Sequence, residues 1–293
     1  MRPREPVSTL ATHLELTKPR ITALVVFTTA TGLWLAPARP TVYTVLFTLI
    51  GTAMVVAAAN VLNMYLERDT DAPMPRTMRR PLPSHRMDPR RALQFGLLLA
   101  AVSVPFLTFA VGAIPGVLAA IALVSYVLIY TPMKRRTAAS FLVGAVPGTI
   151  PPLIGWTAAT GRFDLPGLLL FAVLFLWQVP HFLAITLLRR REFARAGLIV
   201  QPNEPAGERE ARRNIVLYTV ALIAVSLMFI PVGLGGMVYL VAAAGSGALF
   251  LAHGIQGLRT DSVERWARIE FLGSLAYLTV LLAVLLLDRP HAL

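Results

Sequence analysis

Long apolar runs, separated by short polar segments, follow one another along most of the chain. Nine of these runs approach the roughly 20 residues that a helix needs to cross the hydrocarbon of a bilayer. A soluble core would instead show shorter, amphipathic runs. The pattern predicts nine transmembrane helices with these approximate bounds: Ile21–Leu35, Thr41–Leu66, Arg91–Val111, Ile114–Tyr130, Ala139–Thr160, Gly167–Leu188, Asn214–Val232, Gly235–Ile255 and Ile269–Leu287.

The composition supports a membrane protein. The 293 residues are 56% hydrophobic and only 14% charged, with a mean hydropathy of +0.67, whereas soluble domains carry about 25% charged residues. The chain has no cysteine, so it has no disulfide framework and no thiolate metal site. The first 20 residues lack an apolar core, and we expect the first span to act as an uncleaved insertion signal. We predict an all-α polytopic membrane protein, formed as one domain over residues 1–293.

Basic residues are distributed unevenly between the two sides. If the N-terminal segment, residues 1–20, lies inside, all but three of the 27 Lys and Arg residues fall in inner segments; the exceptions are Arg39, Arg162 and Arg289. This positive-inside signal predicts a multi-pass protein of the cell inner membrane with a cytoplasmic N-terminus. Topology and anionic lipid account for part of the net charge of +12, and an anionic substrate could account for another part, so no nucleic-acid partner is expected.

One inner segment, Asn63–Arg80, combines acids with arginines directly after an apolar run. Asn63, Glu67 and Asp71 follow one another at steps of four, which keeps side chains on roughly one face of a helix. Oxygen ligands on one face suit Mg²⁺, which usually keeps waters and shares a substrate phosphate. Nearby arginines could bind the remaining phosphate oxygens: Arg68, Arg76, Arg79, Arg80 and Arg86. The alternative is a hydrated loop of mixed charge.

Three inner loops carry most of the titratable residues. They cover residues 67–90, 131–138 and 189–213. Because all three lie on the same side, we predict that they converge as a cap with the active-site residues on the cytoplasmic side. The proline cluster Pro147–Pro152 is predicted to bend or break its helix.

Several motifs, in the same order along the chain, resemble those of the UbiA-type intramembrane prenyltransferases, and most closely those of the members that farnesylate heme. They are Leu16–Thr22, Asn63–Asp71 with Met74–Leu82, Tyr130–Thr137, Gly144–Trp156, Trp177–Phe182 and Arg191–Gly197. The resemblance implies about nine helices around a central cavity that is open to lipid. It also implies transfer of a farnesyl group from farnesyl diphosphate to a vinyl group of heme B, giving heme O and diphosphate.

The resemblance also implies roles for individual residues. Mg²⁺ would be bound by Asn63, Glu67 and Asp71, with Glu192 contributing from the opposite loop. The diphosphate would be neutralised by five cations: Arg76, Arg80, Lys134, Arg135 and Arg191. Tyr130 would line the place where the allylic cation forms. The catalytic residues would then be Asn63, Glu67, Asp71, Tyr130 and Lys134. A downstream heme-modifying enzyme or an oxidase assembly partner would receive the product.

The chain departs from the family pattern in its acids. Glu67 and Glu192 stand where the family commonly has Asp, which keeps the charge and lengthens the side chain. Ala196 occupies the position four residues after Glu192, where a second acid would stand. The second metal position is therefore the less complete of the two.

Two aromatic residues of the sixth span, His181 and Trp177, are candidates for contact with the heme. His181 could serve as an axial ligand or a proton-transfer group, although an intramembrane histidine is often a hydrogen-bond partner between helices. For His253, near the end of the eighth span, we favour a structural role over a functional one. Trp34, Trp156 and Trp177 lie near predicted span ends or bends, where interface anchoring explains most tryptophans.

Three other functions fit parts of the sequence. A related prenyltransferase could act on an aromatic quinone precursor. A transporter for anions would place its charged residues near mid-membrane, which the one-sided distribution argues against. A non-catalytic heme-binding subunit would not need acids at steps of four.

Overall fold

The computed structural model describes residues 9–288, and the regular secondary structure in that range is entirely helical. A short first helix precedes nine long ones: α1 Thr9–Leu16, α2 Pro19–Leu35, α3 Val42–Asp71, α4 Pro89–Ala110, α5 Ala113–Met133, α6 Ser140–Thr160, α7 Leu165–Arg195, α8 Gly207–Leu227, α9 Met237–Gln256 and α10 Val263–Leu287. The predicted all-α class is confirmed over these residues.

Seven of the long helices are long and apolar enough to cross a membrane, namely α3 to α7, α9 and α10. Helix α2 is apolar but has only 17 residues. Helix α8 begins with a charged turn that includes Glu208 and Glu210. The protein is therefore a multi-pass membrane protein.

Several helices extend beyond the apolar runs that predicted them. Helix α3 continues to Asp71, α7 continues to Arg195, and α8 begins at Gly207. The predicted bounds of the loops 67–90 and 189–213 are therefore wrong, because residues 67–71, 189–195 and 207–213 are helical. Hydropathy marks where the hydrocarbon ends, whereas backbone hydrogen bonding carries a helix on into the polar region.

The prolines of α6 do not break the helix. It runs from Ser140 to Thr160 through Pro147, Pro151 and Pro152, so of the predicted bend or break, the break is wrong. Neighbouring helices can compensate for prolines in a membrane bundle, and α2 packs tightly here: a Cβ atom on Gly32 would lie 1.9 Å from the carbonyl oxygen of Pro152. The break in helical geometry falls instead in α7, at Arg189 (φ −116°, ψ 18°).

Three polar segments meet at one end of the bundle, which we call the arginine-rich end; they are residues 72–88, 134–139 and 196–206. The amide of Ile199 donates to the carbonyl oxygen of Lys134 at 2.9 Å. The guanidinium of Arg76 lies 3.7 Å from the carboxylate of Glu192. These contacts place residues from three distant parts of the sequence around one site.

Candidate active site

A cavity of about 470 Å³ opens at the arginine-rich end. Its walls come from α2, α3, α5, α6 and α7, and no residue of α8 to α10 lines it. Its deep part is apolar, with Val25, Val55, Leu123, Ile154 and Phe182 among its lining residues. The polar lining includes Lys18, Asn63, Glu67, Asp71, Arg76, Arg80, Tyr130 and Lys134. The cavity is therefore amphipathic, with charge concentrated at one end.

Helix α3 supplies three of the polar residues. Thr41 caps its N-terminus by accepting a hydrogen bond from the amide of Thr44 at 3.2 Å, and the helix continues for 30 residues. Asn63, Glu67 and Asp71 therefore stay on one face, as their spacing predicted. Asn63 and Asp71 are each only 2% exposed, so water screens this part of the site weakly.

Each of the three residues contacts a cation from a different segment. Lys18 Nζ donates to Asn63 Oδ1 at 3.2 Å. Lys134 Nζ donates to Glu67 Oε1 at 2.6 Å. Arg80 Nη1 donates to Asp71 Oδ2 at 2.5 Å. Two carboxylates and one amide oxygen thus hold three cations at the mouth of the cavity, where an anionic group of a substrate would meet them.

Lys134 is fixed by the end of α5. Residues Ser125–Tyr130 form a π-helical segment, a feature that occurs frequently at functional sites. The Nζ atom of Lys134 lies 4.4 Å from the ring centroid of Tyr130, in a cation–π contact. Burial opposes the charge of Lys134, but Tyr130 and Glu67 beside it raise its pKa. The π-helical turn therefore brings an aromatic face and a cation to the same point.

Lys18 is a site residue that the sequence analysis did not single out. It precedes α2 and has a left-handed backbone conformation (φ 49°, ψ 65°), which is uncommon for a residue other than glycine and often marks functional positions. Burial, with help from the charge of Arg80, lowers the pKa of Lys18 to about 8. The available signal was its place in the Leu16–Thr22 motif. A lysine before a first span is otherwise explained by topology alone.

Glu192 lies apart from the acids of α3. Its carboxylate contacts Arg189 at 3.1 Å and Arg76 at 3.7 Å. Within residues 9–288, no three acidic, histidine or cysteine side chains converge into a ready-made metal site. Glu192 is nevertheless connected to the cavity, because its ion-pair partner Arg76 lines the cavity.

Two predicted diphosphate ligands lie outside the cavity. Arg135 is exposed on the surface, although Lys134 next to it points inward. Arg191 lines a separate depression of about 440 Å³, which we call the arginine groove. Five arginines and two glutamates line this groove together with Pro73, Pro75 and Leu188: Arg189, Arg190, Arg191, Arg195, Arg268, Glu192 and Glu264.

His181 and Trp177, the candidate heme contacts, face α10. His181 Nδ1 lies 2.8 Å from Ser274 Oγ, and Trp177 Nε1 donates to the carbonyl oxygen of Ser274 at 2.6 Å. The two rings stack with their centroids 4.7 Å apart. Neither residue lines the cavity. Their contacts are those of hydrogen-bond partners between two helices.

Trp156 and His253 both make contacts inside the helix bundle. Trp156 is 1% exposed and donates to Asp164 at 2.6 Å, so interface anchoring is wrong for this residue. His253 lies 2.6 Å from the buried carboxylate of Glu270 and stacks on Trp266. These contacts place His253 between α9 and α10, which agrees with the structural interpretation.

The donors on α3 fit a magnesium ion. Two carboxylates and an amide oxygen are hard oxygen ligands, and Mg²⁺ typically combines one or two carboxylates with substrate phosphates and water. The cations that hold these side chains in the structure would be free to contact the phosphate oxygens instead. The site is therefore suited to a metal that arrives with an anionic substrate.

The chain belongs to the UbiA prenyltransferase family, whose pattern it matches over residues 25–276. It is 54% identical to protoheme IX farnesyltransferase of Sorangium cellulosum over 82% of this chain and 85% of that protein. It is 49% identical to protoheme IX farnesyltransferase of Myxococcus xanthus over 97% of each. The resemblance found in the motifs is confirmed.

Solved structures show the same fold at low sequence identity. A digeranylgeranylglyceryl phosphate synthase structure matches with a TM-score of 0.84 at 17% identity, covering 96% of this chain and 98% of that one. A UbiA homologue from Archaeoglobus fulgidus, bound to GPP and Mg²⁺, matches with a TM-score of 0.65 at 14% identity, covering 92% and 99%.

Proposed function

We propose that this protein transfers a farnesyl group from farnesyl diphosphate to a vinyl carbon of heme B, giving heme O and diphosphate. The observation that carries this proposal is the cavity itself. Its wall is long and apolar, and its mouth holds the buried Asp71 and Asn63 and the half-buried Glu67, each paired with a cation. The names of relatives that are 49% and 54% identical point to the same acceptor.

The chemistry requires an allylic C–O bond to break before the new C–C bond forms. Lys18, Arg80 and Lys134 are positioned to stabilise negative charge that develops on the leaving diphosphate, since preorganised cations lower the cost of such charge separation. The vinyl group then attacks the allylic carbon. A water molecule adds to the resulting cation and loses a proton, which leaves a hydroxyethylfarnesyl side chain.

Other groups would protect and orient the intermediate. The ring of Tyr130 borders the charged end of the cavity, and an aromatic face stabilises a nearby cation. The apolar wall excludes water, which would otherwise capture the allylic cation early. When bound, Mg²⁺ would neutralise charge on the diphosphate, held by Asn63, Glu67 and Asp71, with Glu192 on the opposite side.

The experiment uses purified full-length protein in detergent with heme B, farnesyl diphosphate and Mg²⁺. Heme mass and diphosphate release are followed together, with EDTA as the control. We expect a metal-dependent gain of one hydroxyethylfarnesyl group. Diphosphate release without a change in heme would contradict the acceptor and favour an aromatic quinone precursor. No release from folded protein would contradict the enzyme and favour a transporter or a heme-binding subunit.

We also propose that the arginine-rich end faces the cytoplasm from the cell inner membrane. The support is the charge asymmetry, since nearly all basic residues belong to that side. Because the chain has no cysteine, single cysteines at Arg136 and Arg162 can be labelled in intact spheroplasts with an impermeant maleimide. Only the R162C variant should react. The reverse pattern would contradict the orientation.

A further inference from the structure

The arginine groove and the cavity are separated by one thin wall. In the loop after α3, Pro73 and Pro75 line the groove, whereas Met74 and Arg76 line the cavity. At the end of α7, Glu192 lines the groove and Phe193 lines the cavity. The ion pair between Arg76 and Glu192, at 3.7 Å, joins the two sides of this wall. A molecule seated in the groove would therefore lie directly beside the reacting end of the cavity.

The groove has more positive charge than its own acids can balance. Five arginines face only two groove acids, Glu192 and Glu264. Arg189 pairs with Glu192, and Arg190 pairs with Glu208, which lies outside the groove. Arg191, Arg195 and Arg268 have exposed side chains, and within residues 9–288 they form no ion pair or hydrogen bond. These three come from two different helices, α7 and α10, that enclose the same depression. Such a site is built to bind an anion with more than one charge.

Heme has an anionic edge that matches this site. Protoheme is a flat, apolar ring with two vinyl groups and, along another edge, two propionate carboxylates. Carboxylates are costly to place in hydrocarbon, so a heme in a bilayer keeps that edge at the polar surface. Arginine binds carboxylates through two parallel hydrogen bonds, which fixes orientation as well as position.

We propose that the arginine groove binds the two propionates of the heme acceptor, through Arg191, Arg195 and Arg268. This inference rests on the proposed function and adds the recognition site of its second substrate. With the propionates held in the groove, the heme lies against the wall formed by residues 73–76 and 192–193, beside the charged end of the cavity. A vinyl group on the opposite edge of the ring is then within reach of the allylic carbon once this wall moves. The groove thus provides a reason for the charge on α10, which contributes nothing to the cavity itself.

The test compares two triple variants that lose the same charge at the same end. The groove variant is R191Q/R195Q/R268Q. The control is R90Q/R136Q/R209Q, at exposed arginines outside both the groove and the cavity. Heme B binding is measured by absorbance titration in zwitterionic detergent, and KM is measured for heme B and for farnesyl diphosphate. The same titration uses heme B dimethyl ester, which lacks the two charges.

We expect the groove variant to weaken heme B binding and raise KM for heme B on the order of 10- to 100-fold, as the loss of several charge-assisted hydrogen bonds implies. The KM for farnesyl diphosphate should change little, and the control variant should resemble the wild type. The dimethyl ester should bind the wild type and the groove variant equally weakly.

Several results would overturn the inference. Unchanged heme B affinity in the groove variant, or an equal loss of heme B affinity in the control variant, would refute the inference. A raised KM for farnesyl diphosphate alone would make the groove a diphosphate site. A loss that appears only after anionic lipid is added would make it a lipid headgroup site. If the wild type binds heme B but does not farnesylate it, the proposed function fails, and the ester comparison still tests the groove.

Discussion

The two acidic segments at the arginine-rich end are built differently. Glu67 and Asp71 lie on an uninterrupted helix, and each contacts a cation from another part of the chain. Glu192 follows the point where α7 loses helical geometry, at Arg189, and its Oε1 atom has no hydrogen-bond partner among residues 9–288. The first segment is fixed from several directions, whereas the second is fixed mainly by arginines near it.

This difference predicts how much each segment contributes to catalysis. A preorganised group stabilises a transition state without the cost of reorientation, so the acids of α3 should account for most of the catalytic effect. A carboxylate next to a break in a helix can adjust when a substrate enters. We therefore expect losses in the first segment to be large and losses in the second to be moderate.

The largest effect should come from Asp71→Asn. The substitution removes the charge that holds Arg80 and would bind the metal, and we expect turnover to fall by about 10²- to 10³-fold. Single-turnover formation of farnesylated heme measures the loss. Thermal unfolding and size-exclusion chromatography check that the variant is inserted and folded. Normal turnover in both Asp71→Asn and Glu67→Gln would refute the metal–diphosphate assignment.

A somewhat smaller loss should follow Lys134→Met. This change removes the cation between Glu67 and Tyr130, and we expect kcat to fall by about 10²-fold, with partial recovery in Lys134→Arg. Arg135→Gln is the matched control, because the neighbouring side chain is exposed and lies outside the cavity. Equal losses at the two positions would show that the charge of the loop matters and the position of Lys134 does not.

The first segment could be predicted from sequence because its signal is local. Steps of four place Asn63, Glu67 and Asp71 on one face of any helix, so the helix alone sets their order. The end of α3 was harder to predict, because hydropathy marks the end of the hydrocarbon and not the end of the helix. Lys18 was missed because its role depends on a contact with Asn63, 45 positions away.

The orientation of α7 could not be predicted in the same way. His181 and Trp177 contact Ser274 of α10. The packing between these two helices therefore decides which face of α7 points to α10 and which points to the cavity. Lys134 and Arg135 illustrate the same limit at short range, because neighbouring residues point about 100° apart at a helix end. Sequence supplied the elements and the acids, whereas packing between distant helices selected which cations join them.

A moderate effect should come from Glu192→Gln in the second segment. We expect turnover at saturating Mg²⁺ to fall by about tenfold, and the Mg²⁺ concentration for half-maximal activity to rise, because the proposed fourth oxygen ligand would lose its charge. A magnesium titration of the wild type and the variant measures both quantities. A loss as large as that of Asp71→Asn, with unchanged magnesium dependence, would show that the two segments are equally rigid.

The smallest effect concerns the turn that ends α7. Gly197 has a left-handed backbone (φ +68°), and no atom lies within 4 Å of a Cβ atom added there. Gly161, at the end of α6, has the same conformation (φ +66°) and the same free space. Alanine at either position should lower the free energy of unfolding by about 1 kcal/mol, because only backbone strain is added. Thermal unfolding in detergent measures this cost.

The two variants should differ in activity. The turn at Gly197 directs Leu198, Ile199 and Val200 onto the cavity, and the amide of Leu198 closes it by donating to the carbonyl oxygen of Phe193 at 3.0 Å. We therefore expect Gly197→Ala to raise KM for farnesyl diphosphate a few-fold, whereas Gly161→Ala leaves KM unchanged. Equal KM values in both would mean that the second segment tolerates strain without moving the cavity wall, and the contrast with α3 would then rest on Glu192 alone.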